Sequence, residues 1–105
     1  MPRPIQRSVP FDAAVAAQVA YLVSQGRSDW IDPLERAIDG LGALIAVFPQ
    51  LHREHDRKGP WVLRRARLGS LPFYVWYAYD EEQAQEPVTL IGFFHTRQRE
   101  RRPRL

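Results

Sequence analysis

The fold of this chain is decided by residues 60–80, PWVLRRARLGSLPFYVWYAYD, and residues 87–105, PVTLIGFFHTRQRERRPRL. Three runs within them are rich in aromatic and β-branched residues and are bounded by turn-forming residues, which is typical of strands. We expect these strands at 61–68, 73–80 and 88–95. Because the loops between them are short, the three strands should pair as antiparallel neighbours.

An alanine-rich stretch near the N-terminus predicts the first helix. Phe11, Val15, Val19 and Leu22 recur at spacings of four, four and three residues, which places them on one helical face. The alanines favour a helix, and Gly26 is a natural end for it.

A second helix follows after a short join. Asp32 is a plausible N-cap, with Pro33 at the first helical position. The helix has an apolar face with spacings of four, three, four and three residues, and this face comprises Leu34, Ile38, Leu41, Ile45 and Phe48. Since the join holds only about five residues, the two helices should form an antiparallel hairpin.

The remaining segments complete the predicted architecture. Residues 4–9 suggest a short first strand, and the polar residues 50–60 suggest a loop. We therefore predict an α+β domain of order β-α-α-β-β-β, in which a helical hairpin packs on a small antiparallel sheet. The domain covers residues 1–96, and residues 97–105 form a basic C-terminal tail.

The composition excludes several classes of protein. The 105 residues contain no cysteine, which excludes disulfides and cysteine-ligated metal sites. No apolar run reaches the roughly 18 residues that a membrane span needs. No apolar stretch typical of a signal peptide follows the N-terminus. We expect a cytoplasmic protein without a membrane partner.

Positive charge is concentrated in the tail. Residues 97–105 hold five arginines and one glutamate, a charge of +4, whereas the whole chain carries +3, so the first 96 residues sum to −1. Such a tail suits an anionic macromolecule, either nucleic acid or an acidic protein. The alternative is a solvated, frayed terminus.

Side chains alternate along the predicted strand 61–68, and this places its three arginines on two different sides. Arg65 and Arg67 fall on one side, while Ala66 and Leu68 fall on the side that suits packing beneath the helices. Arg64 shares the helix side, and we expect it at the sheet edge with its guanidinium in water.

His95 is the histidine best placed for chemistry. It ends the last apolar strand, and an imidazole exchanges protons near neutral pH. Together with phosphate-binding guanidinium groups it would form an RNA-cleaving or phosphate-gripping set, namely Arg65, Arg67, His95 and Arg97. The alternative is that His95 bonds locally and holds the exit of the chain from the sheet. Tyr74 could stack a base or pack within the sheet.

Nothing in the sequence predicts a metal or cofactor site. His52 and His55 lie three residues apart in the predicted loop, but no third ligand converges on them. No phosphate-binding glycine loop, zinc motif or nucleophile elbow is present. We therefore expect no cofactor and no small-molecule substrate.

Taken together, these stretches resemble a toxin of the RelE/ParE superfamily, from bacterial type II toxin–antitoxin systems. The likeness spans residues 5–100 and is carried by ALIAVFPQL, LRRARL, LPFYVWYAYD and VTLIGFFHTRQRE, with a His-x-Arg at the end of the last strand. The resemblance implies the same β-α-α-β-β-β order. It also implies a cognate antitoxin whose C-terminal segment wraps the toxin, buries apolar surface and neutralises arginines.

The superfamily divides by target. RelE-like members cut mRNA in the ribosome with basic residues on the open sheet face, and ParE-like members inhibit DNA gyrase. By resemblance, Arg65 and Arg67 fall where RelE-like toxins carry two basic residues. Tyr74 stands where those enzymes place an arginine, and their C-terminal tyrosine has no counterpart here. His95 could replace one of these missing groups.

We therefore expect a ParE-like toxin that inhibits growth by binding a macromolecular target. The first alternative is a RelE-like, ribosome-dependent mRNA endonuclease, and the second is a non-toxic binding module of the same fold. The candidate binding residues are basic or aromatic side chains of the C-terminal third, namely Arg64, Arg65, Arg67, Tyr74, His95, Arg97 and Arg99.

Overall fold

Two helices lie on one face of a five-stranded sheet in the computed structural model, which describes residues 1–105. The elements follow the order β1 (Ile5–Arg7), α1 (Val9–Ser24), α2 (Ile31–Val47), β2 (Glu54–Lys58), β3 (Trp61–Arg67), β4 (Phe73–Asp80) and β5 (Val88–His95). Short 3₁₀ turns cover Ser28–Trp30 and Pro49–Leu51. The predicted α+β class is confirmed. Neither helix is long and apolar enough to cross a bilayer.

The sheet differs from the predicted one in two respects. Its strand order is β1-β5-β4-β3-β2, and β1 pairs in parallel with β5, so the sheet is mixed rather than antiparallel. In addition, β2 lies within residues 50–60, where we predicted a loop. Four strands rather than three therefore follow the helices.

The strand β2 has no apolar pattern, and this is why it could not be predicted from the sequence. Its residues, EHDRK, include no apolar side chain. An edge strand needs only one partner for its backbone, and antiparallel pairing with β3 supplies that partner. Gly59, at φ 60°, takes the left-handed conformation that the turn into β3 requires.

Both helices begin earlier than predicted. The Ser8 hydroxyl accepts a hydrogen bond from the Phe11 amide at 3.2 Å and caps α1, so Pro10 lies in its first turn. This shortens the strand that we expected over residues 4–9. The 3₁₀ turn before α2 leads directly into that helix, so Trp30 takes the cap position and the predicted N-cap Asp32 is wrong.

The core lies between the helices and the sheet. The predicted apolar face of α1 packs on β5, with the Phe11 ring edge-on to Phe93 at a centroid distance of 5.8 Å. The face of α2 contributes three buried side chains and one half-buried one, namely Leu34, Ile38, Ile45 and Leu41.

Phe48 does not belong to this apolar face. Its side chain is 50% exposed. The helix ends at Val47, and the backbone of Phe48 (φ −124°, ψ 67°) has already left the helical conformation, so the periodicity no longer sets its direction.

Candidate functional site

One face of the sheet turns away from the helices and carries two of the candidate arginines. We call it the strand face. Three cross-strand pairs of β3 and β4 form its centre, namely Leu63–Ala78, Arg65–Trp76 and Arg67–Tyr74. A small second core of Leu63, Trp76 and Ala78 lies here, separate from the main core beneath the helices.

Tyr74 is flanked by both arginines of the strand face. The Arg65 guanidinium carbon lies 4.2 Å from the centroid of the Tyr74 ring, and that of Arg67 lies 5.8 Å from it. Arg67 also donates a hydrogen bond to the Leu71 carbonyl at 2.8 Å and stays exposed. The result is an aromatic platform with two cations against it.

The basic tail crosses the strand face. The Glu100 carboxylate accepts hydrogen bonds from Arg65 Nη1 and from Trp76 Nε1, both at 2.7 Å. Further along the tail, Leu105 packs on the small second core. The five arginines of the tail are exposed, namely Arg97, Arg99, Arg101, Arg102 and Arg104.

His55 is a strand-face residue that our reading of the sequence missed. It lies on β2, and its ring packs on Trp76 with centroids 5.0 Å apart. Burial, followed by the nearby charge of Arg65, lowers the pKa of His55. Since we assigned residues 50–60 to a loop, nothing in the sequence indicated this position.

His95 lies on the opposite face. It pairs across the strands with Phe73, a residue of the main core, and its ring meets Phe73 edge-on at 5.3 Å. His95 Nδ1 accepts a hydrogen bond from the Arg97 amide at 3.0 Å, and the His95 amide donates to Gln98 Oε1 at 2.7 Å. His95 thus makes the local bonds that hold the exit of the chain from the sheet.

A β-bulge in β5 explains the side on which His95 lies. Tyr77 pairs with Leu90 and Trp76 pairs with Gly92, so Ile91 is the extra residue. Simple alternation from Leu90 would put His95 on the strand face. The extra residue reverses the alternation, so that Phe93 and His95 turn towards the helices.

His95 lines a cavity of about 520 Å³ between α1, the turn before α2 and the end of β5. Arg97 and Arg27 also line it, together with the aromatic side chains of Tyr21 and Trp30. The Arg27 guanidinium carbon lies 5.2 Å from the centroid of the Trp30 ring. No acidic side chain lines this cavity.

The candidate set is therefore divided between two faces. Arg65, Arg67 and Tyr74 lie on the strand face, and His95 and Arg97 lie at the cavity on the helix side. The sheet would separate a phosphate bound by Arg65 and Arg67 from the imidazole of His95. General base catalysis requires that imidazole within hydrogen-bond reach of the reacting group. Arg99 is exposed in the tail.

The guanidinium of Arg64 is largely enclosed and bonded within the domain, contrary to our expectation that it would lie in water. Its side chain is 12% exposed. Arg64 Nε donates to the Tyr79 hydroxyl at 2.9 Å, and Nη1 donates to the His52 carbonyl at 2.8 Å. These bonds tie the start of β2 to the sheet and leave Arg64 unsuited to contact a partner.

The two histidines of the predicted loop lie apart from each other. His52 Nδ1 is 3.3 Å from the hydroxyl of Tyr77, a main-core residue, while His55 lies against Trp76 on the strand face. No group of three or more histidine or carboxylate side chains is arranged to hold a metal ion.

Neither protein-family models nor curated proteins give a match to this chain.

We expect two partly buried histidines to make the stability of the domain depend on pH. Burial lowers the pKa of both His52 and His55, with smaller effects from Arg64 and Arg65 respectively. A histidine whose pKa is lower in the folded than in the unfolded chain binds fewer protons when folded. Its contribution to folding is therefore fully present above the ordinary value of 6.5 and is lost as the pH falls below it.

We expect the melting temperature to fall as the pH is lowered from about 7.5 to about 5.5. The variant His55→Phe should show a shallower fall, because phenylalanine retains a ring against Trp76 and cannot bind a proton. Circular dichroism melts of both chains at several pH values make the comparison. Identical pH dependence of the two chains would show that His55 does not contribute.

Proposed function

We propose that this chain is the toxin of a type II toxin–antitoxin pair, of the ParE-like kind. In this proposal it inhibits growth by binding a macromolecular target, for which DNA gyrase is the first candidate, and a cognate antitoxin neutralises it. The support is the resemblance of residues 5–100 to the RelE/ParE superfamily and a sheet with a cationic, aromatic face.

One observation favours binding over cleavage. Arg65 and Arg67 lie on the strand face, and His95 lies on the helix side. The four residues of the nuclease hypothesis therefore have no common substrate position. A binding surface needs no such convergence, and Arg67 with Tyr74 offers cationic and aromatic contacts on an exposed edge.

The RelE-like alternative retains one supporting observation. The Tyr74 ring with the exposed Arg67 beside it has the chemistry for stacking a base beside a phosphate. In that case the strand face alone would engage mRNA, without His95.

The test is expression of the full chain from an inducible promoter in bacteria without a partner gene. The proposal predicts growth arrest with a DNA-damage response, and loss of supercoiling by purified gyrase when the purified chain is added. Rapid mRNA cleavage with normal supercoiling would replace it with the endonuclease. Unimpaired growth at full expression would replace it with the non-toxic module.

A pair of variants locates the surface. Arg67→Ala should weaken target inhibition about tenfold, equivalent to about 1.4 kcal/mol of binding free energy, because an exposed cation of the platform is lost. Arg36→Ala is the matched control, since Arg36 is exposed on α2, away from the strand face. Dose–response curves for growth or for gyrase inhibition give the ratio. An equal loss of target inhibition in both variants would show that inhibition depends only on the net charge of the chain.

A further inference from the structure

We infer that the cavity beside His95 binds a small phosphate monoester that carries a planar ring, such as a nucleotide or an aryl phosphate. The phosphate lies among Arg27, His95 and Arg97, and the ring lies against Tyr21 and Trp30. We did not predict a small-molecule site from the sequence. Binding at this cavity does not depend on growth inhibition, so the proposed function can fail while this site stands.

A closed turn at the end of β5 fixes one basic wall of the cavity. The Arg97 amide donates to His95 Nδ1 at 3.0 Å, and the His95 amide donates to Gln98 Oε1 at 2.7 Å. The Gln98 amide donates to the His95 carbonyl at 2.9 Å, and the Thr96 amide donates to the Pro72 carbonyl at 2.9 Å. These four bonds order the turn before any ligand arrives, which lowers the entropic cost of binding.

The same bonds leave hydrogen-bond donors free at the cavity. Because His95 Nδ1 accepts a hydrogen bond, the proton of its neutral imidazole is on Nε2, which has no partner within the domain. Because Gln98 Oε1 also accepts, the side-chain amide nitrogen of Gln98 keeps both of its donor hydrogens. The exposed guanidinium of Arg97 makes no ion pair. This wall therefore suits a ligand rich in acceptors.

Arg27 brings a second cation to the cavity from the join between the helices. Its guanidinium carbon lies 5.2 Å from the centroid of the Trp30 ring, a cation–π contact that holds it in place. The nearest carboxylate is that of Asp29, but the distance from Arg27 Nε to Asp29 Oδ1 is 3.6 Å, too long for a hydrogen bond. Asp29 does not line the cavity. The donors of Arg27 are therefore available to a ligand.

The number of donors and charges favours a phosphate over a carboxylate. A phosphate monoester carries a charge of about −1.5 to −2 near neutral pH and has three acceptor oxygens. It can neutralise both guanidinium groups, and each of them can bind it bidentately. A carboxylate has one charge and two oxygens, so it would leave one arginine without a counter-charge.

The rest of the cavity suits a planar ring. Its lining includes two buried side chains of the main core, Leu34 and Phe73, and two exposed aromatic ones, Tyr21 and Trp30. The volume of about 520 Å³ lies within the range of about 300–1,000 Å³ that is usual for small-molecule sites. An aromatic ring can stack on these side chains while its phosphate stays at the basic wall.

The test follows the indole N–H signals of the isotope-labelled full chain by NMR, during titration with adenosine monophosphate and, separately, with phenyl phosphate. At least one probe should move the Trp30 signal at concentrations up to about 1 mM, while the signals of Trp61 and Trp76 on the sheet stay unchanged. Adenosine, which lacks the phosphate, and inorganic phosphate, which lacks the ring, should each bind at least about tenfold more weakly.

Matched pairs of arginine variants locate the phosphate. Arg97→Gln and Arg27→Gln should each weaken binding of the probe at least about tenfold. Arg99→Gln and Arg36→Gln remove an equal charge at exposed positions that do not line the cavity, and each should change the affinity by less than about twofold.

Three results would overturn the inference. The first is an unmoved Trp30 signal with both probes. The second is equal weakening in Arg97→Gln and Arg99→Gln, since the phosphate would then respond only to net charge. The third is binding of inorganic phosphate or adenosine as tight as that of the better probe, because one half of the proposed site would then contribute nothing.

Discussion

Ile45→Asp unfolds the domain at room temperature. Ile45 lies on the buried face of α2 and is 0% exposed, so an aspartate there places an unpaired carboxylate in the main core. The expected loss of about 4–5 kcal/mol or more is comparable to the whole stability of a small domain. Urea titration followed by circular dichroism measures it, and we expect little or no cooperative transition in this variant.

The matched control is Phe48→Asp. Phe48 lies three residues further along and is 50% exposed, so an aspartate there remains in contact with water. We expect a change within about 1 kcal/mol and a cooperative transition like that of the unaltered chain. If the two variants were equally destabilised, the end of α2 would have to be placed beyond Val47.

Arg64→Met lowers the melting temperature by about 12 °C or more. Methionine retains the apolar stem of the side chain, while the Tyr79 hydroxyl and the His52 carbonyl both lose their donor. Each lost bond to the charged group is worth about 1.5–3 kcal/mol, and a loss of about 1 kcal/mol shifts the melting temperature of a domain of this size by about 4–8 °C. Thermal melts by circular dichroism or calorimetry give the difference.

Arg67→Met serves as the control for this arginine. The substitution is the same, arginine to methionine, but Arg67 is exposed and makes one side-chain hydrogen bond, to the Leu71 carbonyl. We expect a loss of about 1 kcal/mol or less. A loss in Arg67→Met as large as that in Arg64→Met would show that the enclosure of the Arg64 guanidinium contributes nothing.

Most of the secondary structure could be predicted because it follows from the local spacing of apolar side chains. The spacing of Phe11, Val15, Val19 and Leu22 indicates a helical face whether or not the rest of the chain is known. Strands β3, β4 and β5 likewise begin and end within a residue of the predicted bounds. Strand β2 could not be predicted, since an edge strand of charged residues has no buried face to leave a pattern.

The candidate site was harder to predict because strand pairing brings together residues that are far apart in the chain. The alternation along β3 places Arg65 and Arg67 on one side, and this needs no knowledge of other strands. The positions of His55 beside Trp76 and of Glu100 on Arg65 depend on residues 21 to 35 positions apart in the chain. No short-range pattern in the sequence reports such pairings.

By itself the sequence determined the α+β class, the two helices, the three long strands and the shared side of Arg65 and Arg67, since each follows from the spacing of neighbouring side chains. Only the tertiary structure decided that His95 lies apart from those arginines. One extra residue in β5, Ile91, reverses the alternation, and it is defined by pairing with β4. The position of the tail also depends on the tertiary structure, because the two donors to Glu100 come together only when β3 and β4 pair.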